Sequence, residues 1–81
     1  MTVKKIFVFE DINTIYLIVK VDYEEGFYIT EFSIDHWERF FKGDREFTEE
    51  NAEIFINDDG NSTVGYSEGP FDTVEEAEAL I

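Results

Sequence analysis

The sequence predicts one α+β domain: an antiparallel sheet of about five strands, in the order β-β-β-α-β-β-α, with two helices packed on one face. Three observations predict it. A chain of 81 residues is long enough for a single domain and no more. Its apolar residues follow period two up to about position 33, then switch to spacings of three and four. Hydrophobic residues make up 43% and aromatics 17%, a payload that acidic disordered chains lack.

Val3 to Phe9 reads as the first strand, and residues 10–14 carry turn chemistry. Ile15 to Tyr23 is the second strand. Its alternation sets Leu17, Val19, Val21 and Tyr23 on one face, and Tyr16, Ile18, Lys20 and Asp22 on the other. Glu24-Glu25-Gly26 is a short hairpin turn in which Gly26 can take positive φ. Phe27 to Ser33 completes an antiparallel meander.

Ile34, Trp37, Phe40 and Phe41 then recur at helical spacing. Asp35 is the expected N-cap with Glu38 three residues on, and Gly43 the expected C′ residue. Residues 44–51 have no assigned element, although Thr48 before Glu49 and Glu50 can start a helical turn. Ala52 to Asn57 reads as a fourth strand, residues 58–61 as a turn, and Ser62 to Ser67 as a fifth strand. Gly69-Pro70 breaks the chain. Asp72 then caps a last helix, whose stripe is Val74, Ala77 and Leu80 or Ile81.

There is no cysteine, which excludes a disulfide framework, a thiolate metal site and a cysteine nucleophile. The N-terminal apolar stretch is too short for a signal peptide, and no run approaches a membrane span. A cytoplasmic location is expected.

Charge dominates the sequence. Twenty acids oppose six bases, for a net −14. All six bases lie in the first 45 positions with nine acids, a net −3; residues 46–81 hold eleven acids and no base, a net −11. Such asymmetry implies a functional field, and a compact chain so charged repels itself.

The acids singled out for partner binding are Glu49, Glu50, Glu53, Asp58, Asp59, Glu68, Asp72, Glu75, Glu76 and Glu78, with Phe55 and Tyr66 as exposed aromatic anchors among them. If Ile54 and Ile56 face the core of a strand, Glu53 and Phe55 face outward. Asp72, Glu75 and Glu76 also have local reasons to be acidic, as a cap and a first helical turn. Taken one at a time, each acid reads as a solvated side chain. Taken as a set without a base, they read as a carboxylate surface imitating a phosphate backbone, which presents one charge per roughly 1.7 Å of duplex axis.

Other chemistry finds no support. His36 is the only histidine and has no nucleophile or second ligand to work with. Residues 57–61 look superficially like a calcium loop. With Gly60 at its sixth position, however, Phe55 would stand first and Tyr66 twelfth, and neither can ligate. Neither Glu24/Glu25 nor Glu49/Glu50 implies a cleft of the kind paired-carboxylate catalysis needs. No enzyme activity, cofactor or metal is expected.

In size, acidity and lack of cysteine the chain is similar to DNA-mimic proteins and to small phage-encoded antagonists of bacterial defence, anti-CRISPR proteins included. No motif ties it to one family. The expected function is therefore inhibition of a basic nucleic-acid-binding protein, a nuclease or CRISPR effector-like target, by occluding its nucleic-acid site. The alternatives are an immunity protein or antitoxin that neutralises a basic nuclease toxin, an acidic structural or adaptor domain, and a salt-adapted protein. Direct binding of nucleic acid or membrane is not expected, and the sequence leaves self-association open.

Overall fold

The computed structural model describes residues 1–58 and 66–81. Strands β1 (Thr2–Phe9), β2 (Thr14–Lys20), β3 (Phe27–Ser33) and β4 (Tyr66–Phe71) form one antiparallel sheet in the order β1-β2-β3-β4. Helices α1 (Ile34–Phe41) and α2 (Glu49–Asp58) lie between β3 and β4, and α3 (Val74–Glu78) follows β4. One 3-10 turn, Glu10–Ile12, joins β1 to β2. The expected α+β class and antiparallel meander are present, with four strands and three helices among the described residues.

The helices do not share one face of the sheet. Ile15, Leu17, Ile18 and Val19 are all fully buried, so β2 is covered on both sides. Ile15, Leu17 and Val19 join Val3, Phe32, Trp37, Ala52, Phe55 and Ile56 under α1 and α2. Ile18 and Ile29 pack with Ala77, Phe7, Phe27, Phe71 and Val74 under α3. An uninterrupted apolar run, rather than strict alternation, is what a strand buried on both faces requires.

α1 forms where expected but is capped by Ser33, whose Oγ accepts a hydrogen bond from His36 N–H at 3.0 Å. Asp35, the expected cap, instead accepts from the Asn13 side-chain amide at 3.3 Å. The helix ends at Lys42, which takes the left-handed conformation (φ 58°) one residue before Gly43. Trp37 is fully buried and its indole N–H donates to the Arg45 carbonyl, so the ring's polar atom is satisfied. His36 packs edge-on against Phe55, with ring centroids 5.0 Å apart, and is half-buried.

The segment read as a fourth strand is helix α2. Thr48 caps it: its hydroxyl accepts from Asn51 N–H at 3.1 Å, and its carbonyl accepts from Ala52 N–H. Ala52, Phe55 and Ile56 are its buried residues, spaced for one helical face. Ile54, which the strand reading turned inward, is 41% exposed. The proposed turn at residues 58–61 begins with Asp58, which is the last residue of α2; the rest of that turn and most of the expected fifth strand lie outside the described residues. The described strand β4 continues through Gly69-Pro70 instead of breaking there, with a cis Gly69–Pro70 peptide. At α3 the cap is Thr73, not Asp72: Thr73 Oγ1 accepts from Glu76 N–H at 3.1 Å, and Glu76 Oε2 accepts from Asp72 N–H.

Gly26 in the β2–β3 connection has φ +89°, and a Cβ there would meet Pro70 Cβ at 2.8 Å and the Phe71 carbonyl at 3.0 Å. Both backbone conformation and space demand glycine. Gly26→Ala is expected to destabilise the fold by about 1–3 kcal/mol, read as a fall in the urea midpoint. An unchanged midpoint would mean that β4 is not seated against this turn.

Candidate acidic partner-binding surface

Placing α2 and α3 on opposite faces of the sheet divides the acidic set. Glu49, Glu50, Glu53 and Asp58 belong to α2; Glu68, Asp72, Glu75, Glu76 and Glu78 belong to β4, α3 and their connection. The acids therefore do not form one continuous face. Asp59 and the side chain of Tyr66 lie outside the described residues.

Their individual settings differ. Glu49 and Glu50 are exposed in the first turn of α2, where the helix dipole favours carboxylates. Glu53 is half-buried and its carboxylate accepts from Val3 N–H at 3.0 Å, so it satisfies a strand amide as well as carrying charge. Glu78 pairs with Lys5 at 2.9 Å. Glu68, Asp72, Glu75 and Glu76 are exposed. Phe55 is not a surface anchor: it is 0% exposed and stacks on Phe32, with centroids 4.3 Å apart. The outward placement of Phe55 followed from the strand assignment, and helical geometry turns it inward.

One member of each half, Asp58 and Asp72, reaches the same end of the sheet. The β2–β3 turn carries Asp22, Glu24 and Glu25, all exposed. Phe71 pairs with Phe27, so Asp72 leaves β4 beside that turn. The Asn57 amide donates to the Met1 carbonyl at 3.3 Å, and the Met1 amino group holds Asp22 at 3.1 Å. The C-terminus of α2, and with it Asp58, therefore reaches the same end. Five carboxylates from three separate segments thus surround this edge.

Tyr23 stands among them, with a relative exposure of 106% and a φ of 72°. A bulky side chain in the left-handed region is uncommon, and here it directs a whole aromatic ring into solvent. The strand reading placed Tyr23 on the Leu17/Val19 face, but β2 stops at Lys20. The missed signal was the composition of Asp22-Tyr23-Glu24-Glu25 itself, an aromatic set in a run of acids.

The nearby base is occupied. The Lys20 ammonium donates to the Val21 and Glu24 main-chain carbonyls. Of the others, Arg45 lies over the Phe41 ring at 4.7 Å, and Arg39 and Lys42 are exposed on α1 and at its end.

Near α1, a pairing of two acids changes a titration. The Glu38 carboxyl is held above its ordinary value, first by its hydrogen bond to Asp44, then by desolvation and by the charges of Asp44 and Asp35. A carboxyl whose folded pKa is raised adds stability that is fully present below its unfolded pKa and is lost as pH rises through the folded one. Mild acidification toward that range is thus expected to raise the urea midpoint, and Asp44→Asn to flatten the rise. The same profile in both proteins would contradict the pairing.

Among the described residues no helix is long and apolar enough to cross a membrane. No protein-family model, curated protein or solved structure matches the chain.

Proposed function

We propose that this protein is an acidic inhibitor that binds a basic nucleic-acid-binding protein and occludes its nucleic-acid site. One observation carries the reading. Asp22, Glu24, Glu25, Asp58 and Asp72 gather at one end of the sheet beside the exposed Tyr23, five carboxylates against two cations, the Met1 ammonium on Asp22 and Lys20 on main-chain carbonyls. Fixed carboxylates there offer a partner's Lys and Arg the kind of field a phosphate backbone offers. Long-range attraction steers the encounter, and a desolvated aromatic at the centre supplies contact energy that screened rim charges do not. A merely solubilising surface has no need to hold a tyrosine ring fully in water.

The test is capture of partners from a nuclease-treated bacterial lysate at low salt, with elution by salt. One dominant basic nucleic-acid-binding protein, retained by the wild type and lost by Tyr23→Ala, is the expected result. Scattered basic proteins retained equally by both would reduce the acidity to a solvated surface. Capture of one nuclease toxin alone would move the reading to an immunity protein.

A further inference from the structure

On the α3 side of the sheet lies a cleft of about 350 Å³, lined by Tyr16, Ile29, Glu31, Glu68, Leu80 and Ile81. We propose that it receives one arginine side chain of the basic partner, an inference that rests on the function proposed above.

The lining follows from the register. Tyr16 on β2 stands directly opposite Glu31 on β3, and Ile29 opposite Glu68 on β4. Three adjoining strands therefore present a phenol, two carboxylates and an aliphatic floor on one face. Ile29 is only 3% exposed and forms the floor, while Leu80, 59% exposed, stands at the rim. The Tyr16 phenol is held above its ordinary value by burial and then by the Glu31 carboxylate beside it, and its ring is braced edge-on by Phe9 at 5.7 Å.

Each feature matches a part of arginine. The methylene stem fits against Ile29, Leu80 and Ile81. The planar guanidinium carries five donors and suits two carboxylates beside an aromatic ring better than a compact ammonium does. No base is among the lining residues, so neither Glu31 nor Glu68 has a cationic competitor within the cleft lining. The size is at the lower edge of the roughly 300–1,000 Å³ of small-ligand pockets, which suits one side chain rather than a nucleotide or cofactor.

Argininamide and lysinamide are the probes, titrated at constant ionic strength while the NMR signals of Tyr16, Ile29, Leu80 and Ile81 are followed. Argininamide is expected to shift these signals saturably and to bind more tightly than lysinamide. The double variant Glu31→Gln/Glu68→Gln is expected to weaken argininamide and the captured partner by about tenfold or more each, the scale of losing charged hydrogen bonds. Asp11→Asn/Glu46→Gln removes the same charge elsewhere, at exposed acids outside the binding set, and should leave both nearly unchanged. All four residues are exposed, so the folded spectrum is expected to persist in both doubles. Shifts that do not saturate, or equal losses in the two doubles, would overturn the proposal. So would cleft binding in a protein whose partner affinity ignores Glu31 and Glu68. The partner reading has a separate readout, the salt dependence of partner affinity, which can succeed where the cleft fails.

Discussion

Phe55→Ala is expected to cost about 3–5 kcal/mol, the usual range for emptying a buried aromatic site. A domain of this size has a total stability of roughly 4–12 kcal/mol at 0.05–0.15 kcal/mol per residue, so the loss is a large share of the total. Phe55 is 0% exposed, stacks on Phe32 at 4.3 Å, meets Phe40 edge-on at 5.3 Å and lies 5.7 Å from Trp37. Its removal takes contacts from both α1 and β3 at once. The packed rings leave little room for collapse, because their centroids are already at contact spacing. Urea denaturation measures the effect. A loss below about 1 kcal/mol, with partner binding abolished, would restore Phe55 as a surface anchor.

The second large effect is on binding. The triple charge reversal Glu24→Lys/Glu25→Lys/Asp72→Lys is expected to weaken the partner by at least about a hundredfold at physiological ionic strength, since close charge pairs across such interfaces couple by roughly 1.5–7 kcal/mol. All three side chains are exposed, so the fold should survive. The control is Glu46→Lys/Glu49→Lys/Glu50→Lys. It changes net charge equally, but Glu49 and Glu50 lie at the opposite end of α2 from Asp58, about 14 Å away along the axis. That separation exceeds the Debye length of about 8 Å at physiological ionic strength, so the control should lose far less there. Equal losses in the two triples would make net charge, not the gathered end, the determinant. Reversal at Glu53 is a poor probe: its carboxylate accepts from Val3 N–H, and a lysine there would strand the amide.

How legible each element was depended on which period dominated locally. β1 to β3 and α1 were readable because Ile15–Val19 and Trp37/Phe40/Phe41 carry strong patterns. α2 was not, because Ile54 and Ile56 mimic strand alternation in a short window. The Ala52/Phe55/Ile56 spacing and the Thr48 cap favour a helix, but the helix only becomes decisive once its apolar face has a sheet to lie on. That one misassignment also inverted Phe55. The placement of α3 across the sheet was encoded in the unbroken apolar run of β2, whose Ile18 demanded cover of its own.

The acidic site was half legible. The lopsided charge pointed to the segment after position 45, yet the gathered end draws three of its five carboxylates from the β2–β3 turn. No linear count reveals that Asp72 returns beside Glu24 and Glu25. The β3–β4 pairing of Phe27 with Phe71 brings them together. Tyr23 was misplaced for a related reason, since period-two reasoning ran past the end of β2.

Occlusion is the central claim, and competition tests it most directly. Labelled duplex DNA is bound to the captured partner, and this protein is titrated in at fixed salt. The account predicts full displacement, with the apparent Kd for DNA rising in proportion to inhibitor concentration, and no ternary complex. A stable complex of partner, DNA and this protein would show that the acidic end binds elsewhere, and would contradict the account.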